Sequence, residues 1–381
     1  MHYLDYAATT PLLPEAREAM LEVLEGEFGN PSSVHAFGRR AKQIVEDSRD
    51  RVAAAVGASP GEIVFTGGGT EASNLAIKGA THKLRGNGNH VVTSTFEHHA
   101  VLDSVEWLGH QGLETTYLAP NGDGLVEPST LEEELRASTI LVSIMAVNNE
   151  IGTVQDVEAL AAATHRASKP AVFHTDAVQA LGKIPVDVHA WGVDLASFAA
   201  HKLGGPKGVG ALFVRSHTPV EAIVHGGGQE KGLRSGTINV AGVAGFGVAA
   251  EIAAKEVHET AERITRLRDR LLAGLKATVP DLVVNGTLDA HVPNTLNVAI
   301  PKADAETLLL LLDREGIACS AGSACQSGAM DPSHVLLAIG VPRDLAKGSL
   351  RFSLGRDSTT EDVEAVLELL PRIVEQARRV A

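Results

Sequence analysis

An α/β fold, with a mostly parallel central sheet carrying helices on both faces and a smaller α+β unit after it, is predicted by three observations. Short apolar runs alternate with segments of helical period from about residue 62 to residue 200. Several of those runs end in glycine-rich or carboxylate-bearing turns. After residue 237 the pattern changes to one long helical segment followed by shorter, more mixed runs. Alternation of this kind joins parallel strands by crossover helices, and both faces of such a sheet are covered. Ligands lie beyond the carboxyl ends of the strands, so those ends are where chemistry is to be sought.

Taken in order, residues 1–12 read as extended or irregular and end at Thr10 and Pro11. Pro14 opens a first helix in which Ala16, Ala19, Met20, Val23 and Leu24 repeat at i, i+3, i+4, i+7 and i+8. A loop of Gly, Asn, Pro and Ser covers 29–33, and Ala41, Ile44, Val45, Val52 and Val56 set a second amphipathic helix within 36–57. Strands are expected at 62–66, 90–95, 139–146, 171–176 and 193–200, with a helix from 71 onward and helical segments between the later strands. Residues 240–275, rich in Ala, Glu and Arg, read as one extended or broken helix. Beyond them come strands at 294–300, 316–320 and 349–354 and helices at 304–314 and 360–379. The division that follows is a large domain of residues 13–245 and a small domain of residues 1–12 and 246–381. No internal repeat or low-complexity tract interrupts it.

At 381 residues the chain can bury two cores. Hydrophobic content of 44% with 21% charged residues is ordinary for a globular protein and argues against disorder. The N-terminus has neither a basic stretch nor an apolar one, and no apolar run reaches spanning length, so a soluble cytoplasmic protein with no membrane partner is expected. A formal net charge of -14 works against direct binding to nucleic acid. Two cysteines, Cys319 and Cys325, are too few for a disulfide scaffold and the wrong set for structural zinc, so both are expected reduced.

Five places carry residues suited to chemistry. Lys202 stands between a buried strand and a turn holding Gly204, Gly205, Gly208 and Gly210, where desolvation would free its amine for a carbonyl; a solvated loop lysine is the alternative. A phosphate loop of the nucleotide-binding type fails on spacing. The run Gly68, Gly69, Thr70 opens a helix after a strand and offers amides and a hydroxyl to a phosphate, or else is a tight turn. Asp176 ends a strand where a carboxylate can pair with a protonated pyridine nitrogen, or simply cap the next helix. His174 shares its strand face and makes a metal pair conceivable, but no third ligand is clustered near it, so no metal is expected. His98 and His99 diverge on a helix, which leaves one free to stack on an aromatic ring and shuttle a proton. Cys325 lies in a loop of small residues that can expose a thiol, whereas Cys319 sits in an apolar strand as a small hydrophobe. Arg351, in a later strand, can hold a carboxylate bidentately.

Together these residues and seven motifs in order resemble the cysteine desulfurases, within the class V aminotransferase branch of the fold-type-I pyridoxal phosphate enzymes. The motifs are Gly-Gly-Thr-Glu-Ala-Ser-Asn at 68–74, Glu-His-His-Ala-Val-Leu-Asp at 97–103, Asn-Asn-Glu-Ile-Gly-Thr at 148–153, Asp-Ala-Val-Gln at 176–179, His-Lys-Leu-Gly-Gly-Pro-Lys-Gly at 201–208, Arg-Ser-Gly-Thr at 234–237 and Gly-Ser-Ala-Cys at 322–325. The resemblance runs from Tyr3 to Arg356. It implies that Lys202 forms the Schiff base with pyridoxal 5'-phosphate, Asp176 pairs with the pyridinium nitrogen, Gln179 bonds the phenolic oxygen and His98 stacks on the ring. Gly69, Thr70 and His201 would hold the phosphate, with Thr237 supplied by the other subunit of a homodimer. Asn149 and Arg351 would bind the carboxylate of L-cysteine, and Cys325 would take its sulfur as a persulfide, releasing L-alanine. The sulfur would pass to an acceptor or scaffold protein serving iron–sulfur assembly, tRNA thiolation or DNA phosphorothioation. One departure stands out: relatives often carry a phosphate-binding serine where this chain has Ala199, and Ser197, two residues earlier on the same strand face, is the candidate replacement. Alternative activities are a selenocysteine lyase or another β-eliminating or transaminating enzyme of the same fold, and a non-catalytic scaffold is the reading from another class.

Overall fold

The computed structural model describes residues 1–166, 171–321 and 331–379. After β1 (His2–Tyr3), helices α1 (Pro14–Gly26) and α2 (Ala36–Ala55) lead into the large sheet. Its strands are β2 (Ile63–Thr66), β3 (His90–Ser94), β4 (Glu114–Leu118), β5 (Thr139–Ser143), β6 (Val172–Asp176), β7 (Leu195–Ala199) and β8 (Gly210–Val214). Between them run α3 (Gly69–Leu84), α4 (His99–His110), α5 (Pro128–Glu134) and α6 (Val157–His165). The seven strands lie in the order β2-β8-β7-β6-β5-β3-β4. Only β8 runs antiparallel to its neighbours, β2 and β7; the other pairs are parallel.

Two of these strands escape the sequence pattern. β4 is an edge strand whose residues Glu114 and Tyr117 are exposed, so it carries no apolar run. β8 follows directly on the glycine turn, and Gly210, expected in that turn, is its first residue. A Cβ on Gly210 would stand 2.6 Å from both the Gly68 carbonyl carbon and the Phe198 oxygen. Glycine therefore lets β8 pass close under the Gly67–Gly69 loop.

Both faces of the sheet are covered. On one, Leu75 and Ala76 of α3 and Val101 and Val105 of α4 pack on Val91, Leu141 and Leu212. On the other, Val45 and Val52 of α2, Leu160 of α6 and Phe246 pack on Phe65, Phe173 and Phe198. Phe246 belongs to α7 (Val240–Thr278), unbroken over 39 residues and so about 58 Å long at 1.5 Å per residue. Its first half is buried in that core and its second half, from Ile264 to Leu275, in another. This second core gathers Leu4, Leu296 and Phe352 with Val366 and Leu370. It lies around a three-stranded sheet of β9 (Val283–Val284), β10 (Thr295–Ala299) and β12 (Ser349–Ser353), in the order β12-β10-β9. α8 (Ala305–Arg314) and α11 (Thr360–Arg378) cover it, while β11 (Ile317–Ala318) pairs in parallel with β1. Two short helices, α9 (His334–Ala338) and α10 (Arg343–Ala346), return Val335, Leu336 and Ala346 to the first core. Among the described residues no helix is long and apolar enough to cross a membrane.

Candidate active site

At the carboxyl ends of β5, β6 and β7, where the sheet topology places ligands, a cleft of about 440 Å³ opens. Lys202 reaches it from a single 3-10 turn after β7, all of whose residues are buried. That turn is followed by Gly204 at φ +87°, where a Cβ would lie 2.4 Å from Leu13 Cγ. The Lys202 amine donates to the carbonyls of Ala7, at 2.6 Å, and Ala8, at 2.8 Å. Burial, and then the Arg351 charge, bring its pKa down to about 8, against the opposing pull of Asp176 and Asp5. About a tenth of it is then free amine at pH 7, against less than a thousandth for an ordinary lysine.

Asp176, the last residue of β6, is buried in the same cleft and accepts a hydrogen bond from Val178 N at 3.0 Å. Burial raises its proton affinity, and His98 and Lys202 offset that rise. Gln179 lines the cleft and donates through Nε2 to Ala7 O, the carbonyl that Lys202 also uses. His174 does not reach the cleft. It is wedged between the hydroxyls of Ser143, at 2.8 Å, and Ser197, at 2.9 Å, and burial drives its pKa down to about 3. Ser197 is therefore committed to His174, and Ala199 alone of the two borders the cleft. Among the described residues no group of three His, Cys, Asp or Glu is placed to hold a metal.

His98 caps α4, its Nδ1 accepting from Ala100 N at 3.0 Å. With Nδ1 engaged as acceptor the neutral ring carries its hydrogen on Nε2. Its pKa is lowered by desolvation, with Asp176 acting against that and Lys202, His99 and His334 with it. His99 diverges to solvent and bonds Asp103 at 3.1 Å. Opposite, the loop from β2 turns into α3 through Gly68 at φ +149°. A Cβ on Gly69 would stand 2.7 Å from Val178 Cγ2, so only glycine fits there. Thr70 is exposed in the first turn of α3, where free amides and the helix dipole favour an anion. His201 borders the same space, held by Thr9 Oγ1 at 3.2 Å, and its pKa falls to about 4 through burial and then the charges of Lys202, Lys207 and Lys183.

The far wall comes from the second core. Arg351 of β12 is buried and donates through Nη1 to Asn149 O at 2.8 Å, and through Nη2 to Asp5 Oδ1 at 2.8 Å. Its Nε and the Asn149 Oδ1 are both buried without a partner among the described residues. A guanidinium with an unused N–H at a cleft wall is suited to a carboxylate. Thr237 is exposed and lies outside the residues lining this cleft. Cys325 falls outside the described residues. Cys319, half-buried against the second core, has its thiol pushed up to about 12 by burial and then by Asp5, so it stays protonated.

Four participants have no role in the sequence reading. Asp5 lies in the Tyr3–Pro11 run that carries part of the resemblance, but its pairing with Arg351 spans 346 positions. The Ala7 and Ala8 carbonyls are backbone atoms and leave no trace in residue type. Glu97, beside His98, is fully buried, accepts from Ser94 Oγ at 2.6 Å and Met145 N at 2.9 Å through Oε1, and leaves Oε2 without a partner among the described residues. Burial lifts its pKa to about 8.

Comparison with known proteins places this geometry among relatives. The family model for aminotransferase class-V matches residues 2–366. The chain is 47% identical over 379 residues to the cysteine desulfurase IscS of Dictyoglomus turgidum, covering 100% of this chain and 96% of that protein. It superposes on a NifS-like protein with a TM-score of 0.93 at 38% identity, over 99% of this chain and 100% of the other. It also superposes on SspA, solved in complex with cysteine, with a TM-score of 0.82 at 35% identity, over 93% and 99% of the two chains.

Proposed function

The chain belongs to the aminotransferase class-V family, and from that premise we propose a pyridoxal 5'-phosphate-dependent cysteine desulfurase that converts L-cysteine to L-alanine and hands the sulfur to acceptor proteins. The observation that carries this reading is the meeting, in one cleft, of a desolvated lysine, a buried strand-end carboxylate, a neutral imidazole and a guanidinium with an unused N–H.

The residues present fit the cofactor. Gly69, with no room for a Cβ against Val178, brings the amides of α3 to the cleft beside the side chains of Thr70 and His201. Asp176 supplies a carboxylate for a ring nitrogen, Gln179 an amide for a ring oxygen, and Lys202 an amine for its aldehyde. When bound, pyridoxal phosphate supplies that aldehyde and an electron-poor ring able to accept electrons from the substrate α-carbon.

The remaining work falls to side chains. Arg351 and Asn149 hold the carboxylate of L-cysteine through the Nε–H and the amide of Asn149, orienting the substrate amine toward Lys202. Lys202, free-base in part at neutral pH, moves protons at the α-carbon, and His98, neutral with its hydrogen on Nε2, serves the substrate thiol side. Cys325 takes the sulfur: an S–S bond to Cys325 forms as the substrate Cβ–S bond breaks, leaving a persulfide and alanine. Cys319 is unsuited to that role because its thiol keeps its proton. Thr237, exposed and away from its own cleft, is assigned to the phosphate site of a second copy in a homodimer. An acceptor protein is the recipient of the sulfur, since a chain of net charge -14 is poorly suited to meet a nucleic acid itself.

The test is to give the purified protein L-cysteine without reductant and map sulfur adducts by mass spectrometry beside a Cys325→Ala variant. The expected result is a persulfide on Cys325, alanine release and an inactive variant. Alanine or pyruvate formed equally by the variant would replace this reading with a β-eliminating or transaminating enzyme.

A further inference from the structure

A second cavity, of about 90 Å³, borders the Lys202 turn between the two cores. Leu13, Ile252 and Ile264 make its wall largely apolar. Lys183, in the connection between β6 and β7, belongs to that wall and is only 8% exposed. Its amine has one hydrogen bond, to Lys202 O at the long distance of 3.5 Å, and forms no ion pair among the described residues. Lysine is seldom buried this deeply without a counter-charge, because desolvation favours the neutral amine. Burial, and then the charge of Lys202, bring its pKa down to about 7. Besides Lys183, the charged groups around the same cavity are Lys202, Glu256, Arg356 and Asp357, with Tyr6 as a further titratable group, and Arg356 is already paired with Glu256 at 3.2 Å. Asn294 adds an independent sign of an absent partner. It is 5% exposed, lines the cavity and donates through Nδ2 to Leu354 O, yet its Oδ1 has no partner among the described residues.

We propose that Lys183 is a second imine-forming lysine, which takes small uncharged aldehydes through this cavity. The amine nitrogen attacks the carbonyl carbon, its proton passes to the carbonyl oxygen, and that oxygen leaves as water when the C=N bond forms. Amine and aldehyde thus give imine and water with no change of oxidation state. Asn294 Oδ1 is an acceptor for the hydroxyl of the addition intermediate or of a hydroxyaldehyde. An imine is less basic than the amine it replaces, so the product brings no charge into an apolar wall. A keto acid is disfavoured, because its carboxylate would be desolvated in a largely apolar wall whose arginine is already paired with Glu256.

The holoenzyme is first treated with borohydride, then with glycolaldehyde and cyanoborohydride at pH 7, and adducts are located by peptide mass spectrometry. Lys183 should be labelled about tenfold or more faster than the exposed Lys42 and Lys83, with a half-maximal rate near pH 7 rather than near 10. Pyruvate should label it at least about tenfold more slowly than glycolaldehyde does. Ala253→Phe, which fills the cavity, should suppress labelling of Lys183 and leave Lys42 and Lys83 unchanged. Lys183 labelled no faster than the exposed lysines, equal labelling by pyruvate, or full labelling in Ala253→Phe would each overturn the proposal. Adducts on Lys183 and Lys202 are read at separate residues, so a failure of the cofactor assignment does not affect the outcome.

Discussion

Arg351 ties three distant parts of the chain together with two of its nitrogens on Asn149 O and Asp5, and the third left for a ligand. A lysine there would keep the charge but lose the fork, so Arg351→Lys should raise KM for L-cysteine and lower kcat/KM by about tenfold to a hundredfold, the equivalent of about 1.5–3 kcal/mol. Steady-state kinetics decide it, and an unchanged KM would remove Arg351 from the substrate subsite. Glu97 poses a different question, because its carboxyl is held neutral by burial at a pKa of about 8. A carboxyl whose folded pKa is raised stabilises fully below its unfolded value near 4.5, and that stability is lost as pH rises through 8. Glu97→Gln, neutral at every pH and able to keep the Ser94 and Met145 bonds, should therefore be more stable than the parent at pH 8 and lose that advantage at pH 4.5. Denaturant titrations at the two pH values make the comparison. Neither effect is visible from residue type, since a glutamate in Glu-His-His reads the same whether buried or solvated.

At the scale of the element, α7 shows why a helix of 39 residues tolerates glycines in its interior. A Cβ on Gly247 would lie 2.9 Å from Ser48 Cα, and one on Gly245 would lie 2.7 Å from Met20 Cγ. The glycines let α1 and α2 lie closer than side chains would permit. Gly247→Ala gains about 1 kcal/mol of helix propensity but must push back the α2 backbone, so a net loss of about 1–2 kcal/mol is expected in denaturant unfolding. The segment bearing Thr237 is anchored in another way. Glu230 receives both terminal nitrogens of Arg49, at 2.7 and 2.8 Å, and Phe65 N at 2.7 Å, all three residues being buried. Glu230→Ala leaves the buried Arg49 guanidinium with only the half-exposed Glu46, at 3.1 Å, and the Ile63 carbonyl, which should cost about 3 kcal/mol. A loss below 1 kcal/mol in the same assay would show that water reaches Arg49. The amphipathic helices were legible because one face must meet the core at a 3.6-residue period, whereas the edge strand β4 was not, because solvent imposes no such pattern on it.

Across the whole molecule, burial of neutral histidines sets how acid acts on the fold. His174 is depressed to about 3, and His291, half-buried beside Arg268, to about 4. The unfolded chain binds a proton at each near pH 6.5, so their stabilisation is complete above 6.5 and is lost as pH falls toward 4. Parent and His174→Asn should therefore differ in the slope of stability against pH between 6.5 and 4.5, the variant having the shallower one. Equal slopes would mean that His174 takes up a proton without leaving Ser143 and Ser197. The same interior explains how far the amino-acid sequence reached. By itself it determined the alternation of strands and helices, the long α7, and the motifs that mark Lys202, Asp176 and His98, because periodicity and turn chemistry are local and are written in consecutive residues. The tertiary structure alone decided that His174 claims Ser197 and so leaves Ala199 bordering the cleft, that Asp5 and the Ala7 and Ala8 carbonyls complete the site, and that Lys183 lies buried without a counter-charge among the described residues. Each of these depends on which atoms meet across 19 to 346 positions and on how much water is removed when they do, and neither quantity is carried by any single stretch of chain.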